Sequence, residues 1–201
     1  MKFNKFISFI IHPIIFPIVG TLLYFILLPR HVDKQVERLI ILTVFVGTYI
    51  LPLLFMSILK KMNIIDSFQL FTIKERKYPL LFFVALSYIL GIMFFRALVV
   101  KELSLFFFGM TLAIFSAYLL LYINFKTSLH TLAIGGLIGF IGILSYTYQL
   151  NLILILVTFF ILAGIIGTSR LKLNAHLGKE IYIGFLIGLS TQIIAFLIYN
   201  R

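Results

Sequence analysis

Three short polar clusters in a largely apolar chain each contain residue types that can bind or transfer a phosphoryl group. Arginine offers a planar fork of donors that matches phosphate oxygens, and lysine adds a mobile positive charge. Arg170, Lys74 and Arg76 are therefore candidate phosphate-binding residues. The clusters are Lys74 to Lys77, Lys126 to His130, and Ser169 to Glu180.

His130 and His176 are the candidate reactive groups. Both are predicted at the N-terminal ends of helices, where unpaired N–H groups and the helix dipole favour an anion. His176 and Glu180 are four residues apart, so a helix places them on the same side. A carboxylate bonded to one imidazole nitrogen fixes the tautomer and leaves the other nitrogen as a nucleophile. His130 can then protonate the leaving alkoxide.

Composition places these residues in a membrane protein. Of 201 residues, 62% are hydrophobic and 11% are charged, against about 25% charged in soluble domains. The net charge of +11 does not indicate nucleic-acid binding, because the basic residues border long apolar runs and suit anionic headgroups. The chain has no cysteine, which excludes disulfides and thiolate chemistry.

The apolar runs predict an all-α polytopic transmembrane helix bundle of about seven helices, with residues 1–201 as a single transmembrane domain. A crossing helix needs about 20 apolar residues. Pro79 is expected in the first turn of the third helix, where its missing N–H costs nothing. The predicted spans are 6–28, 39–59, 79–98, 103–123, 129–147, 150–168 and about 175–199.

Seven crossings bring the three polar clusters to one membrane face. The segments 1–5, 60–78, 124–128 and 169–174 share the side of the N-terminus, which we name the first face. Lysine and arginine are more frequent there, as the positive-inside rule expects of a cytoplasmic face. Those cations are also the proposed anion site, so their distribution does not orient the protein.

The third cluster resembles a motif of the type 2 phosphatidate phosphatase superfamily, the lipid phosphate phosphatases. The third motif of that family is Ser-Arg, five residues, His, three residues, Asp. Ser169, Arg170, His176 and Glu180 match this spacing, with glutamate in place of aspartate.

The other two family motifs are matched in part. Ser128 and His130 match the second motif, Pro-Ser-Gly-His, with Thr127 and Leu129 in place of proline and glycine. The first motif is Lys, six residues, Arg-Pro, and the segment from Lys74 to Pro79 is a shortened version. The resemblance covers about residues 70–190 and is that of a divergent bacterial member.

The resemblance implies a six-helix phosphatase-like core plus one helix, and a phosphatase that uses no metal or other cofactor. His176 would form a phosphohistidine, Glu180 would orient it, and His130 would protonate the leaving group. Arg170, with Lys74 and Arg76, would hold the phosphate, and Ser128 and Ser169 would add hydrogen bonds. The substrate would be a phospholipid or polyprenyl phosphate in a bacterial cytoplasmic membrane.

Other interpretations of the same residues remain open. The cationic pocket could belong to a non-catalytic member that binds anionic lipid or a partner protein. A small transporter could instead use His12 and the prolines of the first helix, although His12-Pro13 more often marks a kink with a locally bonded imidazole. Ser128 and Thr127 could be helix caps. Close helix packing is expected at Gly135, Gly136, Gly139, Gly142, Gly184 and Gly188.

Overall fold

The computed structural model describes residues 4, 7–8, 10–29, 32–68, 70, 72–97 and 100–199, and within those ranges the protein is helical and has no strand. A 3₁₀ turn, Pro13–Ile15, precedes helix α1, and another, Leu121–Ile123, extends α4. Helix α2 contains a π-helical turn, Val46–Ile50. The helices are α1 Phe16–Leu27, α2 Lys34–Lys61, α3 Ile73–Arg96, α4 Lys101–Leu120, α5 Leu129–Tyr148, α6 Ile153–Lys172 and α7 Gly178–Tyr199.

The all-α polytopic prediction is confirmed. Six helices in the described part of the chain, α2 to α7, are long and apolar enough to cross a bilayer. Large apolar side chains point outward from the bundle, including Leu154 at 82% exposed and Ile26 at 75%. Such a surface is unfavourable in water and suits hydrocarbon. The chain is therefore a multi-pass membrane protein.

The first predicted span, 6–28, is wrong as a single helix. His12 has an extended backbone (φ −72°, ψ 140°), because a residue followed by proline is disfavoured in the helical region. Its Nδ1 accepts a hydrogen bond of 3.4 Å from the Ile14 N–H, so the prediction of a kink with a locally bonded imidazole is confirmed. Lys2 and Lys5, which precede this span in the sequence, lie outside the described residues.

The predicted position of Pro79 in a first helical turn is also wrong. Thr72 and Glu75 form a reciprocal capping box, so α3 begins at Ile73 and Pro79 lies inside the helix. The Glu75 carboxylate also accepts from the Asp66 N–H at 2.8 Å, which ties the preceding loop to the helix start. The cluster from Lys74 to Lys77 is consequently helical and is not part of a loop.

Helix α5 is the centre of the bundle. Of its apolar crossing segment 72% is buried, against 17% for α6. Glycines let α5 and α7 meet backbone to backbone: a Cβ on Gly184 would lie 2.8 Å from the Ser128 carbonyl oxygen, and one on Gly188 would overlap the Leu132 carbonyl. Gly142 is an exception to the predicted packing surface, because nothing lies within 4 Å of its Cβ position.

Candidate active site

The end of α6 places the third cluster at the first face. Asn174 adopts a left-handed conformation (φ 51°), which asparagine tolerates better than most residues. The Ala175 N–H donates to the Arg170 carbonyl at 3.1 Å, and the Asn174 N–H donates to the Leu171 carbonyl at 2.9 Å. This pair is a Schellman motif, which ends the helix and turns the chain toward His176. Ser169 and Arg170 thus lie in the last helical turn and not in the predicted loop.

The His176 imidazole is fixed by two acceptors on one nitrogen. Its Nδ1 lies 2.9 Å from Glu180 Oε2 and 3.1 Å from the Lys126 carbonyl oxygen. A carboxylate and a carbonyl can only accept, so Nδ1 carries the proton and Nε2 keeps a lone pair in the neutral ring. The contact between His176 and Glu180 predicted from their spacing is therefore present. Glu180 is itself held by the Leu177 N–H at 3.0 Å.

The surroundings of His176 keep this imidazole neutral. Burial lowers the pKa of His176 to about 4. The hydrogen bond that His176 donates to Glu180 opposes the shift, and the charges of Arg76 and Arg170 add to it. The ring is accordingly uncharged near neutral pH. Only 1% of the side chain is exposed, so Nε2 lies beneath neighbouring side chains and not on the open surface.

His130 occupies the second position of α5 and is also buried. Its Nε2 lies 3.2 Å from the Ser8 carbonyl oxygen, so Nε2 donates and Nδ1 is left to exchange a proton. The His12 ring packs edge-on against it, with ring centroids 5.6 Å apart. His130 also interacts electrostatically with Arg170 and more weakly with His176.

Arg170 is a charged residue close to several ionisable groups of the site. Its positive charge acts on His12, His130, His176 and Arg76. The Arg170 Nε is buried and finds no hydrogen-bond partner among the residues that the structure describes. A buried donor left unpaired costs about 1–3 kcal/mol. An anion bound beside Arg170 would remove that cost.

Two serine hydroxyls, like Arg170 Nε, have no hydrogen-bond partner among the described residues. Within the described ranges, Ser128 Oγ and Ser8 Oγ are buried and have no partner. Ser128 is the N-terminal cap position of α5, yet its side chain makes no capping hydrogen bond. It is therefore not the helix cap that its position suggested. Ser169, the other serine predicted to bind phosphate, is buried in the last turn of α6.

The structure separates Lys74 from Arg76. Two residues apart on a helix point to different sides, and Lys74 is exposed whereas Arg76 is buried. The Arg76 guanidinium donates from Nε to the Leu70 carbonyl and from Nη1 to the Thr127 carbonyl, each at 3.0 Å. Arg76 thus joins α3 to the start of α5, and only Arg76 of the pair lies near His176.

A surface pocket of about 260 Å³ opens beside His176. Lys126, Asn174 and Ala175 line it together with His176, Leu177 and Glu180, whereas His130 and Arg170 are not in its wall. Among the described residues, no group of three or more His, Cys, Asp or Glu side chains is arranged to hold a metal ion. The pocket therefore offers cations, an imidazole and one carboxylate.

Sequence reasoning missed the contact of the N-terminal segment with His130 and the role of the Lys126 backbone carbonyl. Ser8 and His12 reach His130 because the chain leaves the helix at His12, and no motif relates residues 122 positions apart such as Ser8 and His130. The proline after His12 was the available signal, since it predicts the break. Lys126 contributes its backbone carbonyl to His176, which no side-chain pattern encodes.

Comparison of the chain with protein-family models, curated proteins and solved structures gives no match. The resemblance to lipid phosphate phosphatases consequently depends on the residues of the three motifs alone. The geometry around His176 and Arg170 is independent of that resemblance, because it follows from contacts within this chain.

Proposed function

We propose that this protein is a membrane-embedded phosphatase that hydrolyses a lipid phosphate or diphosphate through a phosphohistidine, without a metal ion. One observation supports this above the others: His176 Nδ1–H is held by Glu180 and by the Lys126 carbonyl, so a neutral Nε2 is available as a nucleophile. The unpaired Nε of Arg170 supplies a donor for the phosphate nearby.

The proposed reaction has two steps. His176 Nε2 attacks phosphorus, an N–P bond forms and the P–O bond to the lipid breaks. His130, which must first bind a proton at Nδ1, gives that proton to the leaving oxygen. Water then attacks the phosphohistidine, His130 takes the proton of that water, and the N–P bond breaks to release inorganic phosphate. Glu180 stabilises the positive charge on the His176 ring during attack.

The position of the site suits a lipid substrate. The N-terminal ends of α5 and α7 and the C-terminal end of α6 meet at the first face, where phosphate headgroups lie. A phospholipid or polyprenyl phosphate in a bacterial cytoplasmic membrane is the substrate that we propose. Because the His176 side chain is nearly enclosed, pocket side chains must move to admit the phosphoryl group.

Metal independence is part of the proposal. Phosphoryl transfer needs its negative charge neutralised, and many enzymes use divalent ions for this. Here two of the first-face carboxylates already have partners: Glu75 caps α3, and Glu180 binds His176 and Leu177. Arg170, whose Nε has no partner among the described residues, is a cation that can neutralise the phosphate.

The test is phosphate release by the protein in lipid nanodiscs from phosphatidate, phosphatidylglycerophosphate and polyprenyl diphosphate, with and without EDTA. We expect activity that survives EDTA, is inhibited by vanadate, and is abolished in His176→Ala but kept in Lys172→Ala, which removes an exposed charge on the same face. Full activity in His176→Ala, or loss on chelation that a divalent metal restores, would overturn the mechanism.

A negative result is also informative. If no substrate of the panel is hydrolysed but anionic lipid still binds, the non-catalytic interpretation replaces the enzyme.

Radioactive phosphate trapped on His176 after a rapid quench in base would support the phosphohistidine directly. The same label in the His176→Ala variant would contradict it.

A further inference from the structure

The cation that the first family motif would supply has no clear position in this protein. Lys74 is exposed and does not line the pocket beside His176. Arg76 is buried, but its Nε and Nη1 are engaged by the carbonyls of Leu70 and Thr127. Arg76 therefore serves the packing of α3 against α5, and the pocket must obtain its positive charge elsewhere.

Lys126 is placed to provide that charge. It lines the pocket of about 260 Å³ together with His176 and Glu180. The turn that presents it is rigid: Asn124 is left-handed (φ 57°), and the Phe125 N–H donates to the Leu120 carbonyl at 3.0 Å, which completes the end of α4. The Lys126 backbone is also fixed, because its carbonyl accepts from His176 Nδ1.

We infer that Lys126 binds the phosphate of the substrate beside His176 and takes the place of a first-motif lysine. The inference rests on the proposed function for its role in turnover. The Lys126 ammonium is a compact charge on a flexible four-carbon stem, so it can follow the phosphoryl group as that group enters the pocket. A phosphate monoester or diphosphate of a lipid is the class of ligand that this position suits.

The charges around Lys126 agree with a ligand that is an anion. Partial burial lowers the pKa of Lys126, the charges of Arg76 and Arg170 add to the shift, and Glu180 opposes it. The positive charges of Arg76 and Arg170 repel that of Lys126, and the charge of Glu180 offsets part of this repulsion. A bound phosphate would relieve that repulsion, which favours binding of the dianion.

The test compares two lysines on the same face. Lys126→Met and Lys74→Met each remove one charge and keep most of the aliphatic stem, so any general attraction of the face to anionic lipid changes equally in both. We expect Lys126→Met to raise KM about 10- to 100-fold, the loss typical of one charged hydrogen bond. Lys74→Met should stay within about twofold, and Lys126→Arg should recover most of the loss.

A second measurement does not need turnover. Binding of a short-chain lipid phosphonate and of orthovanadate is titrated in separate arms, in wild type and in Lys126→Met. Weaker binding of both in the variant places the phosphate group itself at Lys126, and weaker binding of the phosphonate alone places the lipid headgroup there. Unchanged binding of both, or an equal loss in Lys74→Met, would overturn the inference.

The two proposals fail in different ways. If the wild type hydrolyses lipid phosphates and Lys126→Met keeps the wild-type KM, only the role of Lys126 is lost. If no substrate is hydrolysed but Lys126→Met still weakens phosphonate binding, the phosphatase is lost and the anion site at Lys126 stands.

Discussion

The variant Glu180→Gln isolates the charge of the carboxylate that holds His176. Glutamine keeps the shape of the side chain, and its carbonyl oxygen can still accept from His176 Nδ1–H at the observed 2.9 Å and from the Leu177 N–H. The Lys126 carbonyl also continues to hold the same proton. The tautomer should therefore survive, and what is lost is the negative charge beside the ring.

The size of that loss follows from the geometry. When His176 Nε2 attacks phosphorus, the ring becomes positive, about 4 Å from the carboxylate. At an effective dielectric constant of about 20 this attraction is about 4 kcal/mol. The Glu180 side chain is 12% exposed, so solvent removes only part of it, and we expect about 2–4 kcal/mol. In kcat this is about 30- to 1000-fold.

The assay is steady-state phosphate release by the protein in nanodiscs. KM should change by less than about threefold, because the charge develops in the transition state and not in the bound substrate. The matched control is Glu37→Gln, which removes a carboxylate that pairs with Lys34 at 2.7 Å on the exposed surface, and it should keep wild-type activity. A kcat of Glu180→Gln within threefold of wild type would refute the role of the charge.

Three further predictions concern acidity, packing and the cations of α3. Because the pKa of His176 is lowered to about 4, its Nε2 stays unprotonated down to that pH. The value of kcat/KM should therefore fall on the acid side only near pH 4, and it should not fall near the ordinary histidine pKa of about 6.5. Gly188→Ala should destabilise the protein by about 1–3 kcal/mol in thermal or denaturant unfolding, since its Cβ would overlap the backbone of α5. Gly142→Ala, whose Cβ meets nothing within 4 Å, should be neutral or slightly stabilising, and an equal loss in both would contradict the packing argument. Arg76→Ala should lower the free energy of unfolding by about 2–4 kcal/mol, because two charged hydrogen bonds to carbonyls are lost. Lys74→Ala should change it by less than about 0.5 kcal/mol. Similar effects in the two variants would contradict the conclusion that Arg76 is a buried, bonded residue and Lys74 an exposed one.

The correct parts of the sequence prediction came from the length of the apolar runs and from the spacing of residues close in sequence. Apolar runs of about 20 residues identify crossing helices because hydrocarbon leaves the backbone no other partner. The contact between His176 and Glu180 was predictable from their spacing of four residues, although His176 lies just before α7 and Glu180 reaches back to it from the first helical turn. Both signals are local, so neither depends on knowing how the helices pack.

The errors arose where a capping or breaking signal was outweighed by hydropathy. Thr72 and Glu75 are the signature of a helix start, and recognising it would have placed α3 correctly and shown that Lys74 and Arg76 diverge. His12 before Pro13 likewise predicts a break inside an apolar run. The approach of Ser8 to His130 is a tertiary contact that spacing alone does not encode.

The enclosure of α5 by its neighbours has a consequence for how the protein is made. Helix α5 has the lowest hydropathy of the six long helices, 1.7, and its glycine surface is covered by α7, which is synthesised later. Until α7 enters the membrane, the groove along α5 faces lipid and lacks its partner backbone. The Ser128 N–H donates to the Glu180 carbonyl at 3.1 Å only once both helices are present. Insertion of α7 is thus the step that covers the groove and forms this hydrogen bond, so a nascent chain that stops before α7 has neither.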